Sequence, residues 1–341
     1  VVFSTGAGAI RMISGTGGDR HTKEILPMFR RTFLAAAAAL LALPLAVPMA
    51  RAEDKVVRIG YQKYGTLILL KAKGSLEQKL KPLGYSVVWS EFPAGPQLLE
   101  ALNAGAIDFG STGEAPPIFA QAAGAKLQYA AHEPPAPQGE AILVPKDSPL
   151  KSVAELKGKK VALNKGSNVH YLLVRALEKA GVAYDEVEKV FLAPADARAA
   201  FERGAVDAWA IWDPFQAAAE AAIQAKTLAN GEGLVPNHQF YLAAQPFTSA
   251  HPQAVDTVIA ALAEIDQWIA ANPQAAAEQL GPATGIPASV IKIAVQRQAY
   301  GIKPLSADVV AEQQKIADAF FKLGLLPKPV AIADVVRKPG T

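Results

Sequence analysis

The chain has 341 residues, 51% of them hydrophobic and 19% charged, which is ordinary globular composition and long enough for two domains. Its formal net charge of +3 belongs to the leader: residues 1–52 hold Arg11, Arg20, Lys23, Arg30, Arg31 and Arg51 against Asp19 and Glu24. The remainder carries 28 bases and 29 acids, a net −1 that gives no case for a nucleic-acid partner.

Phe29–Ala52 follows the three-part pattern of a secretory signal peptide. Arg30 and Arg31 form the charged start, Phe33–Val47 is an apolar run, and Ala50-Arg51-Ala52 is a small-x-small cleavage site. The run is too short for a membrane span. Export is therefore expected, with cleavage after Ala52. "RRTFL" also resembles a twin-arginine signal, which leaves the route open. Met28 is the expected start, so the signal peptide occupies 28–52 and residues 1–27 are expected to be a gene-model artefact.

Cysteine is absent, and Met12, Met28 and Met49 all precede the cut, so the mature chain would contain no sulfur atom. One reading is chance in an alanine-rich sequence. The other is economy in a protein made when sulfur is scarce.

Val56–Tyr61 is a short apolar run of strand type, and Thr66–Lys81 has helical spacing weakened by Gly74. "YSVVWSEF" (Tyr85–Phe92) reads as a second strand. A helix is expected from about Pro96 to a C-cap at Gly105. "AIDFGS" and "KLQYAAHE" are further strands, and alternating strands and helices imply a parallel sheet with helices on its faces.

The same pattern begins again near Ser152. "SVAELKGKKVALNKGSNVHYLLVRALEKAG" gives a short helix, a strand and a long helix, and "DEVEKVFLAP" gives a strand. "ADARAAFERG" is a helix closed by Gly204, and "AVDAWAIW" is a strand. Gly105-Ala106-Ile107-Asp108 matches Gly204-Ala205-Val206-Asp207 at an offset of 99, and Glu114 falls on Asp213 at the same offset. Whether this is duplication or shared strand–helix grammar, it predicts two similar α/β lobes with a ligand cleft between them.

Ligands in such sheets sit beyond the carboxyl ends of the strands. "FYLAAQPF" reads as one more strand. The helices Ala254–Ala271, Pro273–Leu280 and Ser306–Leu323 are expected to return to and complete the first lobe. Lobe I is thus expected over 53–142 and 241–341, and lobe II over 143–240.

Four loops project into the expected cleft: Gln62–Thr66, Ser111-Thr112-Gly113-Glu114, Gly166-Ser167-Asn168 with His170 just inside the helix, and Trp209–Asp213. The second and third are small, hydroxyl- and glycine-bearing turns at helix starts. Free N–H groups and the helix dipole suit an anion there without an arginine. The plainer reading is that the hydroxyls only cap helices. Asp213 before Pro214 likewise reads as a helix cap, with a hydrogen bond to a ligand as the alternative.

Trp209 and Trp212 fall on opposite strand faces, so one should pack under a helix. Trp212, at the strand's exit, is expected to wall the cleft. His132, His170, His238 and His251 show no metal-ligand spacing, and no G-x-S-x-G or P-loop occurs. No catalytic residue, cofactor or metal is expected.

"EFPAGPQLLEALNAGAIDFGSTGEAPPIFAQAAGA", "PADARAAFERGAVDAWAIWDPF" and "VALNKGSNVHYLLVRAL" resemble the aliphatic sulfonate-binding proteins of bacterial ABC importers, from Val56 to about Pro329. The resemblance implies a monomeric, two-lobed periplasmic receptor of the type II binding-protein fold. Two crossover segments hinge it, and it closes on an alkanesulfonate for delivery to a membrane permease. It implies a sulfonate between the Ser111-Thr112-Gly113 and Ser167-Asn168 turns, contacts from Gln62 and His170, and a tail toward Trp212. It also gives the missing sulfur a motive, since sulfonates are scavenged for sulfur. Taurine, nitrate or an aromatic sulfonate are alternative ligands, and for taurine Glu114 or Asp213 could take the amine. An enzyme of thiamine-precursor synthesis on the same scaffold is the reading from another class, but it would want a cysteine-rich motif.

Overall fold

The computed structural model describes residues 55–338. The expected signal peptide, its cleavage site, residues 1–27 and all three methionines lie outside the described residues.

Ten strands are formed among the described residues: β1 (Lys55–Tyr61), β2 (Tyr85–Glu91), β3 (Phe109–Gly113), β4 (Leu127–His132), β5 (Glu140–Val144), β6 (Lys160–Leu163), β7 (Glu188–Phe191), β8 (Ala208–Trp212), β9 (Lys226–Asn230) and β10 (Gln239–Ala244). They make two five-stranded sheets, β2-β1-β3-β10-β4 and β7-β6-β8-β5-β9. In the first, β1 runs parallel to β2 and β3, while β10 is antiparallel to β3 and β4. In the second, β6 is parallel to β7 and β8, while β5 is antiparallel to β8 and β9. The two orders are the same, and in each sheet the antiparallel member enters from the other lobe.

The offset echo in the sequence has a matching structural device. The Arg58 N–H donates to Asp108 Oδ2 at 2.9 Å, and the Asp108 N–H returns to Arg58 O at 2.7 Å. In the second sheet the Lys160 N–H donates to Asp207 Oδ2 at 2.8 Å, and the Asp207 N–H returns to Lys160 O at 2.8 Å. Each aspartate closes the entry of a central strand onto its neighbour. Gly105 and Gly204 end the preceding helices at φ 71° and 69°, the left-handed backbone that glycine adopts without a Cβ penalty.

Three local expectations change. The Thr66–Lys81 helix is two helices, Gly65–Lys73 and Ser75–Leu80, because Gly74 turns left-handed between them. β5 and β9 were not foreseen. "EAILV" is a fully buried five-residue run without alternation, and "KTLAN" is a short edge strand. The helix Ala288–Arg297 was also unforeseen, and it does not belong to the first lobe alone. Arg297 Nη2 bonds Glu220 Oε2 at 2.7 Å, and its Nη1 lies 3.4 Å from Asp213 Oδ2, both in the second lobe.

β5 begins at Glu140 and β10 at Gln239, so the chain changes sheet between His132 and Glu140 and between Asn230 and Gln239. β5 and β10 are antiparallel to the central strands. They therefore start at the edge where the parallel strands end, and both crossovers run along that edge. No helix among the described residues is long and apolar enough to cross a membrane.

Candidate functional site

A small cavity lies where the carboxyl ends of β1, β3, β6 and β8 face one another. Gln62 and Tyr64 reach it from the turn after β1, and Gly113 from the end of β3. Ser167 and Asn168 open the helix Asn168–Lys179, and Trp212 and Asp213 follow from β8. Of the expected residues, Gln62, Gly113, Ser167, Asn168, Trp212 and Asp213 come together here. Ser111, Thr112, Glu114 and His170 do not line it.

Chemistry explains each displacement. Ser111-Thr112-Gly113 is the end of β3 and not a turn, so Ser111 and Thr112 are held in the sheet. The Ser111 carbonyl accepts from Gln62 Nε2 at 3.1 Å, and the Thr112 hydroxyl donates to the Gly113 carbonyl at 2.9 Å. His170 is turned away: the Gly166 N–H donates to its Nδ1 at 3.2 Å, and its Nε2 faces the Tyr184 hydroxyl at 2.6 Å. Burial, with Lys165 and Lys189 nearby, lowers its pKa to about 4, so the ring is neutral and braces the Gly166-Ser167 turn.

Glu114 lies behind the wall, fully buried, with Oε2 accepting from the His238 N–H at 3.0 Å. Desolvation raises its pKa to about 8, partly offset by hydrogen bonds from the backbone of His238 and Asn237. Gln313 Nε2 donates to the Glu114 backbone carbonyl.

Neither expected N-cap bond is made by the turn hydroxyls. Ser167 Oγ donates back to the Asn164 carbonyl at 2.7 Å, and no side-chain cap is present. The Asn168 N–H, at the cavity, therefore has no side-chain acceptor, while the His170 N–H one turn in donates to the Ser167 carbonyl at 3.0 Å. The facing helix, Ala115–Ala122, has Pro116 and Pro117 in its first turn and offers fewer donors. Across the gap the Asn168 carboxamide lies so close to Gly113 that an added Cβ would have to displace it.

Asp213 does cap. Its Oδ1 accepts from the Ala217 N–H at 3.0 Å, and the helix starts at Phe215 after a cis Asp213–Pro214 bond, one residue later than a Pro-first helix would. Burial raises its pKa to about 6, against the pull of Arg297. Trp209 is fully buried against Phe201 of the helix Pro194–Glu202, as one of the pair should be. Trp212 keeps 8% exposure, meets Phe215 edge-on and lines the cavity. Among the described residues, no lysine or arginine lines it.

Gly139, Asn237, His238 and Gln239 also line the cavity, and sequence reasoning missed them. They belong to the crossovers, whose position follows from the antiparallel entry of β5 and β10. The one available signal was a polar Asn237-His238-Gln239 cluster immediately before an apolar strand.

Two α/β lobes with a polar cavity at their facing strand ends define a solute-binding protein of the periplasmic binding-protein fold. The NMT1/THI5 like family profile matches residues 90–276, more than half the chain. A protein of Escherichia coli (strain K12) described as an aliphatic sulfonates-binding protein is 44% identical over 305 residues, covering 89% of this chain and 95% of its own. The solved structure of the alkanesulfonate-binding protein SsuA from Xanthomonas axonopodis pv. citri bound to MOPS is 43% identical. It aligns with a TM-score of 0.80 over 84% of this chain and 99% of its own. That of the periplasmic aliphatic sulphonate binding protein SsuA from Escherichia coli is 44% identical, with a TM-score of 0.76 over 85% and 94%. The chain belongs to the aliphatic sulfonate-binding protein family.

Proposed function

We propose that this chain is the periplasmic substrate-binding component of an ABC importer and that it captures an aliphatic sulfonate by closure of its two lobes. A sulfonate has three acceptor oxygens and one delocalised charge, which suits backbone N–H groups and a helix dipole better than a single cation. The observation that carries the reading is the opposition of Gly113 to the Ser167-Asn168 helix start across a cavity that no lysine or arginine among the described residues lines. Trp212 would take the apolar tail. We take the lobes to divide at the two crossovers, which serve as the hinge.

The reading is of binding and not of turnover. The Ser167 hydroxyl donates to the Asn164 carbonyl, and both His170 nitrogens are engaged by Gly166 and Tyr184, so these two do not form a nucleophile–base pair. The receptor would act as a monomer and meet its permease at the inner membrane.

Thermal shift of the purified mature chain against methane-, ethane-, butane- and octanesulfonate, taurine, nitrate and benzenesulfonate tests this. Stabilisation by the unbranched alkanesulfonates is expected. Stabilisation by taurine or nitrate alone would contradict it.

A further inference from the structure

Asn237 is one of two non-glycine residues among those described with positive φ, at 52°. Asparagine tolerates this conformation better than most residues, and it is seldom adopted without a reason in the surroundings. The reason here is a set of bonds that meet at this side chain. Asn237 Nδ2 donates to the Ala136 carbonyl of the other crossover at 2.9 Å. The Ala136 N–H in turn donates to Pro236 O at 3.0 Å, so the crossovers are pinned to each other at this point. On its other side Asn237 Oδ1 accepts from Asn168 Nδ2 at 2.6 Å. Asn168 is the first residue of the second lobe's helix, and its carboxamide presses on Gly113 of the first lobe.

We propose that Asn237 is a positioning residue. It orients the Asn168 carboxamide against Gly113 and ties closure of the ligand cavity to the pinned crossovers. This rests on the reading of the cavity as the ligand site.

The chain of contacts runs from Gly113 through Asn168 and Asn237 to Ala136, and so joins both lobes and both crossovers. A hinge rotation that parts the lobes separates Asn168 from Gly113, and in this proposal it breaks the Asn168–Asn237 bond as well. The bond then belongs to the closed arrangement and holds a bound ligand by slowing reopening. Its loss acts on dissociation and leaves association alone, since the open form does not contain it.

Asn237→Gly removes both side-chain bonds and keeps the backbone conformation, because glycine adopts φ 52° freely. Asn168→Ala removes the other end. Ethanesulfonate binding is followed by stopped-flow tryptophan fluorescence, with Trp212 as the reporter in the site, and by calorimetry. Each single variant is expected to dissociate ligand about tenfold faster with an association rate within about twofold of wild type. The double variant is expected to match the singles, because the two residues act through one bond. Multiplicative effects in the double variant, or a loss carried by association, would overturn the proposal.

A second measurement does not depend on Asn237→Gly. In a crystal structure of the ligand-free wild type the lobes are expected apart with the Asn168–Asn237 bond broken, and an open structure that keeps this bond overturns the proposal. If wild type itself does not bind ethanesulfonate, the functional reading fails instead.

Discussion

Glu114→Gln separates the charge of a buried carboxyl from its shape. Glu114 has no exposed surface, and its pKa rises from 4.5 to about 8 chiefly by desolvation. Between those values the folded state holds a proton that the unfolded chain releases, so stability falls as pH rises through the window and is flat on either side. At ~1.4 kcal/mol per unit, the step from pH 5 to pH 8 amounts to ~4 kcal/mol. Glutamine keeps an acceptor for the His238 N–H and cannot ionise. Asp213 and Asp266, raised by burial without help from Glu114, contribute equally to both proteins, whereas Glu140 is held up partly by the Glu114 charge and responds to the substitution. The difference between variant and wild type therefore reports Glu114 together with its coupling to Glu140. Urea denaturation at pH 5, 6.5 and 8 should show Glu114→Gln gaining ~4 kcal/mol on wild type across the series, whatever its offset at pH 5. Parallel profiles would refute the argument, because they would mean that Glu114 is ionised in the fold or reaches water. The same ionisation places a negative charge behind the cavity, so sulfonate affinity of the wild type should fall near pH 8 and that of the variant should not.

Gly113→Ala should weaken ethanesulfonate binding by at least tenfold in calorimetry while shifting the melting temperature little, because the added methyl meets Asn168 only when the lobes close. Trp212→Ala should cost butanesulfonate more affinity than methanesulfonate, by about 1–2 kcal/mol of difference for the lost apolar contact. Equal losses for both ligands would place the tail elsewhere. The protein's abundance should rise when sulfate is withdrawn from the growth medium, as immunoblotting would show, and equal levels would remove the motive for a mature chain without sulfur.

Much of the scaffold was legible because it is local. Gly105 and Gly204 marked helix ends, and the matched Asp108 and Asp207 announced two lobes of one design. What could not be read was the work of distant pairing. β5 shows no periodicity because it is buried on both faces, and its antiparallel entry is decided by the crossover and not by its own residues. That entry brings Gly139, Asn237 and Gln239 to the cavity. Gln62 and Trp212, whose places follow directly from strand ends, line the cavity. Thr112 and His170 do not line it, because the Thr112 hydroxyl is engaged by the Gly113 carbonyl and the His170 ring by Gly166 and Tyr184.

A crystal structure of the mature chain with ethanesulfonate tests the central claim most directly. The account predicts the sulfonate between Gly113 and the first-turn N–H groups at Asn168, with its ethyl group toward Trp212 and the lobes closed. A sulfonate bound outside this cavity, or held there by a lysine or arginine side chain, would contradict it.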